Sequence, residues 1–133
     1  NLLVAGSIPA EGAFRKVFKA MSSTQLEALV RRFLDAYAAK DIDAIRTMFS
    51  EHIALRDWNL EVIGRDKAIS KFEENFRESQ SIEIKVNAIY LSETGVSAEV
   101  EILVNQTEKL RVVDVFRFDR NQKIVSLVSY KGL

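Results

Sequence analysis

The chain has no cysteine, one histidine (His52) and one proline (Pro9) among its 133 residues. Without thiols there is no disulfide, no thiolate metal site and no cysteine nucleophile, and the redox compartment leaves no mark on the sequence. A single histidine excludes a metal centre built from several imidazoles, so neither metal nor other cofactor is expected. No apolar run approaches the ~20 residues of a membrane-spanning helix, and no membrane partner is expected. An excess of one charge is missing too: 19 basic residues face 19 acidic ones. Nucleic-acid binders ordinarily carry a basic surplus that neutralises phosphates, so no nucleic-acid partner is expected. The opening residues 1–10 are mildly apolar, but they lack a charged leading region and are too short for a leader, which makes the cytoplasm the expected location.

What is present suits one globular domain, with 47% hydrophobic and 29% charged residues. Residues 21–133 read as that domain, and residues 1–20 as an N-terminal extension or a segment added upstream. Within the latter, Phe14, Val17, Phe18 and Met21 recur at helical spacing, which predicts a short amphipathic turn or two over 11–20. Thr24-Gln25-Leu26-Glu27 has the form of a capping box. It opens a helix whose Leu26, Leu29, Val30, Phe33, Leu34 and Tyr37 fall on one stripe. Asp41 caps a second helix over 42–50, and a third follows Gly64 to about Ser79 with Ile69, Phe72 and Phe76 inward. From Ser81 the hydrophobic period drops to two and stays there, predicting strands over 81–91, 96–105, 110–118 and 123–130, joined by short polar turns as an antiparallel meander. Helices followed by long strands predict an α+β fold: a cone-shaped, curved antiparallel sheet with the three helices on its concave face.

Two acids break the apolar pattern. In Ile53-Ala54-Leu55-Arg56-Asp57-Trp58, alternation sends Asp57 to the same face as Ile53 and Leu55, and Trp58 to the outer face with Arg56. In the strand over 110–118, Asp114 shares a face with Val112, Phe116 and Phe118. A carboxylate among aliphatic neighbours is paired, neutral, or turned to a cavity that something polar enters. Each Asp either caps a loop amide or pairs with a nearby base, or the two together line a site. If they line one apolar pocket, burial and mutual repulsion split their titrations, leaving one ionised near neutrality and the other protonated.

The runs 32–45, Leu55-Arg56-Asp57, Gly64-Arg65-Asp66-Lys67-Ala68-Ile69 and Val113-Asp114-Val115-Phe116-Arg117-Phe118 resemble the SnoaL-like and ketosteroid isomerase-like branch of the nuclear transport factor 2-like superfamily, over about Thr24 to Gly132. That resemblance implies the cone fold and an apolar small-molecule ligand. It places Asp57 where the isomerase keeps its general base, and Asp114 where it keeps the protonated Asp that donates to the developing oxyanion. The oxyanion-hole tyrosine of the family falls on Phe33, which has no hydroxyl, so Tyr37 or Tyr90 would have to replace it; each also reads as an ordinary core aromatic. Phe72, Phe76 and Phe116 complete the expected pocket wall. The reactions in view are isomerisation or cyclisation by proton transfer next to a carbonyl. The alternative is a non-catalytic, dimeric binding or assembly module with a filled cone. His52 reads as a solvated loop residue. Val113, Val115, Trp58 and Leu103 on the outer sheet face predict a homodimer through that face.

Overall fold

The computed structural model describes residues 21–133. The predicted turn over 11–20 lies outside them. Three helices form among the described residues: α1 (Ser23–Ala38), α2 (Ile42–Met48) and α3 (Arg65–Glu78). Six strands accompany them: β1 (Phe49–Arg56), β2 (Glu61–Ile63), β3 (Ile82–Leu91), β4 (Val96–Val104), β5 (Glu108–Phe118) and β6 (Ile124–Lys131).

The cap of α1 is Ser22, not Thr24. The Ser22 hydroxyl accepts from the Gln25 backbone N–H at 3.1 Å while the Gln25 side chain accepts from the Ser22 N–H at 2.9 Å. Gln25 is the residue three positions into the helix, so the same box motif is satisfied two residues earlier than the hydroxyl-x-x-Glu pattern suggested. Asp41 caps α2 as expected, accepting from Ala44 N–H at 3.1 Å. Gly64, at φ 105°, starts α3 from a backbone conformation that side chains rarely adopt.

The sheet runs β2-β1-β6-β5-β4-β3. The four-strand meander β3 to β6 is antiparallel as expected, but β1 pairs with β6 in parallel, Leu55 opposite Leu127 and Arg56 opposite Val128. The sheet is therefore mixed, since α3 carries the chain from β2 to the far edge and the four-strand meander walks back until β6 lies beside β1. Asn105 and Gln106, both at positive φ, turn β4 into β5 in the tight form that matches sheet twist.

Helices α1 and α3 lie on the concave face, α1 against β3 and β4, α3 against β1 and β2. Between them and the sheet, Phe33 stacks on Phe49 at 5.9 Å and meets Phe116 edge-on at 5.4 Å, while Tyr37 meets Phe72 and Phe76 edge-on at 5.1 and 4.9 Å. This aromatic cluster fills the middle of the cone. Space remains beyond it, toward the strand ends that carry Asp57 and Ser129.

Candidate active site

A cavity of about 80 Å³ lies at that end, lined from α1 by Phe33, Leu34 and Tyr37, from α3 by Phe72 and Asn75, and from the sheet by Leu55, Ile84, Ile102, Val112, Asp114, Leu127 and Ser129, with Asp57 and Trp58 beyond β1. Both acids singled out by the alternation argument thus face one space. They reach it differently.

Asp114 sits in mid-strand, 6% exposed. Its register partner on β6 is Ser129, whose hydroxyl donates to Asp114 Oδ1 at 2.5 Å. Burial pushes the carboxyl from its ordinary 3.8 up to about 6, against the lowering effect of the Ser129 hydrogen bond. Repulsion from Asp57, expected to contribute, is not a cause of this shift. A carboxyl that titrates at about 6 keeps its proton in mildly acidic solution and has mostly released it at neutral pH, so the expectation that Asp114 stays protonated near neutrality holds only on the acid side.

Asp57 lies just past the end of β1, half-buried. Its Oδ1 accepts the backbone N–H groups of Asn59 at 2.7 Å and Leu60 at 2.9 Å, a local turn that short acids favour. The loop-capping reading and the cavity-lining reading are therefore both true of this side chain: one oxygen is tied to the loop, and the residue still forms part of the wall. The turn also redirects Trp58. Alternation placed it on the outer sheet face, but the strand stops at Arg56, and the indole stands at the cavity wall, 43% exposed, with Lys131 Nζ 5.8 Å from its ring centre.

Tyr37 is the hydroxyl that α1 brings to the space. Burial raises its pKa, a side-chain hydrogen bond with Asn75 lowers it, and the charges of Asp114 and Asp57 raise it further. It therefore remains a proton-bearing donor across the ordinary pH range. Asn75 was missed from sequence because it reads as one polar residue on a helix; only its place about one turn from Phe72 hinted that it faces inward. Ser129 was missed for the same reason, although it alternates with Leu127.

Phe33 and Phe72 line the cavity. Phe116 is fully buried behind Phe33, and Phe76 supports Tyr37, so both back the wall without forming it. Tyr90 is displaced altogether. A bulge between Val86 and Ala88 shifts the β3 register by one, so Ile89 turns in and Tyr90 turns out, 57% exposed. His52 is exposed, as expected, but lies within β1 and not before it. Among the described residues no group of three or more acids or imidazoles is placed to hold a metal, and no helix is long and apolar enough to cross a membrane.

Three helices over the concave face of an open, curved six-stranded sheet, with an acid-bearing cavity at the wide end, define the cone-shaped α+β class of nuclear transport factor 2-like proteins. Residues 30–127 match the SnoaL-like domain family, and the chain belongs to that family. Its fold is similar to that of a SnoaL-like protein of unknown function from Burkholderia thailandensis (TM-score 0.74, 14% identity, 85% of this chain and 99% of that one). It is also similar to SalBIII, an epoxide hydrolase/cyclase-like enzyme with a role in pyran ring formation in the polyether salinomycin (TM-score 0.73, 20% identity, 84% and 94%). An LEH-like epoxide hydrolase from M. tuberculosis shares the fold as well (TM-score 0.68, 16% identity, 79% and 80%). No curated protein matches the chain.

Proposed function

We propose that this protein binds a small apolar molecule bearing a carbonyl in the cavity at the wide end of the cone, and moves a proton at the carbon beside that carbonyl, with Asp57 as the base. The observation that supports this reading is a single cavity lined by both Asp57 and Asp114. Asp57 takes the proton and returns it nearby. Asp114 in its protonated form and the Tyr37 hydroxyl donate to the oxygen on which enolate charge develops, where a hydrogen bond strengthens as the reaction proceeds. Because Asp114 donates only while it holds its proton, turnover falls as pH rises through about 6.

Size narrows the ligand. About 80 Å³ is near half of the ~150 Å³ apolar cavity that accommodates benzene. The fused rings of a steroid exceed it; a short chain or part of one ring does not. The aromatic filling that makes the cavity small also favours the second reading, a binding or assembly module without chemistry. In either case we place a homodimer contact on the outer sheet face, where Val113 and Val115 stand opposite the core face of β5.

The two readings separate by exchange of the alpha hydrogens of a small cyclic ketone in deuterated water, followed by NMR. Asp57→Asn abolishes exchange if the base is this one. Phe33→Tyr, which returns a hydroxyl to the position where the family carries one, raises exchange by about tenfold, a fraction of the ~10²- to 10³-fold that one oxyanion donor contributes when fully aligned. No response to either substitution means that the acid pair is structural.

A further inference from the structure

The small cavity has a larger neighbour. A groove of about 350 Å³ shares Asp57, Trp58 and Ser129 with it, and Arg56, Tyr130 and Lys131 extend the groove outward. The shared residues make the two spaces adjacent, with Trp58 lining both.

Charge in the groove is uneven. Arg56 faces Glu61 at 3.9 Å, which offsets its charge. Asp57 has one oxygen committed to two backbone N–H groups. Lys131 makes no ion pair among the described residues; its ammonium rests 5.8 Å from the centre of the Trp58 ring. A cation held against an aromatic face keeps its N–H groups for another partner. Position favours the same conclusion. On β6, Leu127, Ser129 and Lys131 alternate onto one face, and the first two line the inner cavity, so Lys131 stands one step nearer the rim, about 7 Å along the strand from the residue that donates to Asp114.

We propose that the ligand carries a carboxylate several bonds from its carbonyl, and that Lys131 is the specificity-determining residue that binds this carboxylate in the groove while the carbonyl end enters the cavity. This rests on the acid-base reading of the cavity given above. A single unpaired ammonium suits a monoanion, whereas a phosphate dianion is ordinarily gripped by several donors. The arrangement also resolves the size of the cavity: it admits only the reacting end, and the remainder of the molecule lies past Trp58.

Trp58 is the sole tryptophan and lines both spaces, so its fluorescence reports occupancy directly. The probes are levulinate and its longer straight-chain keto acid homologues, each beside its methyl ester. The best-fitting acid binds about two- to fivefold more tightly than its ester at low salt, the advantage that one solvent-exposed ion pair provides. Lys131→Met removes that preference and leaves ester affinity unchanged, while Lys131→Arg retains it. Equal affinity of acid and ester, or a preference that survives Lys131→Met, overturns the proposal. Alpha-hydrogen exchange on the bound ester separates this from the underlying reading: exchange without an acid preference removes only the carboxylate site, and an acid preference without exchange removes only the chemistry. Binding of neither acid nor ester removes both.

Discussion

Asp114 is the residue on which the electrostatics of the site turn. It is buried in mid-strand, has one hydroxyl donor, and titrates at about 6 in place of 3.8. A raised folded-state pKa means that the proton favours the folded protein. The corresponding stability is present in full below 3.8 and is lost as pH rises through about 6. The difference between those two values corresponds to about 3 kcal/mol. Asp114→Asn has nearly the same shape, still offers Ser129 an acceptor, and does not titrate. Denaturant unfolding at about pH 8 should therefore find the variant more stable than the parent by up to about 3 kcal/mol, with the advantage shrinking toward about pH 4. A gap that does not change with pH would mean that Asp114 titrates as an ordinary exposed acid.

At the scale of elements, the position of α3 decides the cavity, because α3 supplies Phe72 and Asn75. Its C-terminal end is held by a residue from the far end of another helix. Lys40 follows α1 at φ 57°, and its ammonium donates to the carbonyls of Phe76, at 2.8 Å, and Ser79. A cation at a helix C-terminus satisfies carbonyls that the helix leaves open and complements its dipole. Lys40→Met keeps the aliphatic stem and removes the ammonium. It should cost about 1 to 2 kcal/mol in unfolding free energy, and hydrogen exchange should show faster opening of the last turn of α3 than of α1. Unchanged protection there would mean that the helix end is fixed by packing alone. The β3–β4 turn depends on a residue of a different kind: a Cβ added at Gly95 would stand 2.9 Å from the Phe116 carbonyl oxygen, so the tight return of the chain beside β5 requires glycine.

At the scale of the whole molecule, the three helices cover one side of the sheet and, among the described residues, none covers the other. On that outer side Val113 is 36% exposed, opposite Glu99 in register, and Tyr130, opposite Val113, is 61% exposed. An apolar centre with charged neighbours is the composition of an association surface. Sedimentation at micromolar concentration should give twice the mass of one chain, and Val113→Arg should return it to the monomer mass. A monomer before substitution would remove the dimer from the proposal. Trp58, first assigned to this face, would play no part in such a contact, since the loop turn brings it to the cavity.

The amino-acid sequence by itself determined the elements and the acids. Helical stripes, the change to a period of two at Ser81, and polar turns are local features, and each is written within a dozen residues. Asp57 and Asp114 stood out for an equally local reason, a charge where the alternation requires an apolar side chain. Only the tertiary structure decided what depends on residues distant in the chain. Parallel pairing of β1 with β6 follows from the path of the whole meander. The bulge that turns Tyr90 outward is a register event between two strands, and no composition rule places it. Asn75 and Ser129 became site residues because α3 and β6 carry them to Tyr37 and Asp114. The proton affinity of Asp114 was set by how completely the cone closes around it, because desolvation depends on every neighbouring element at once.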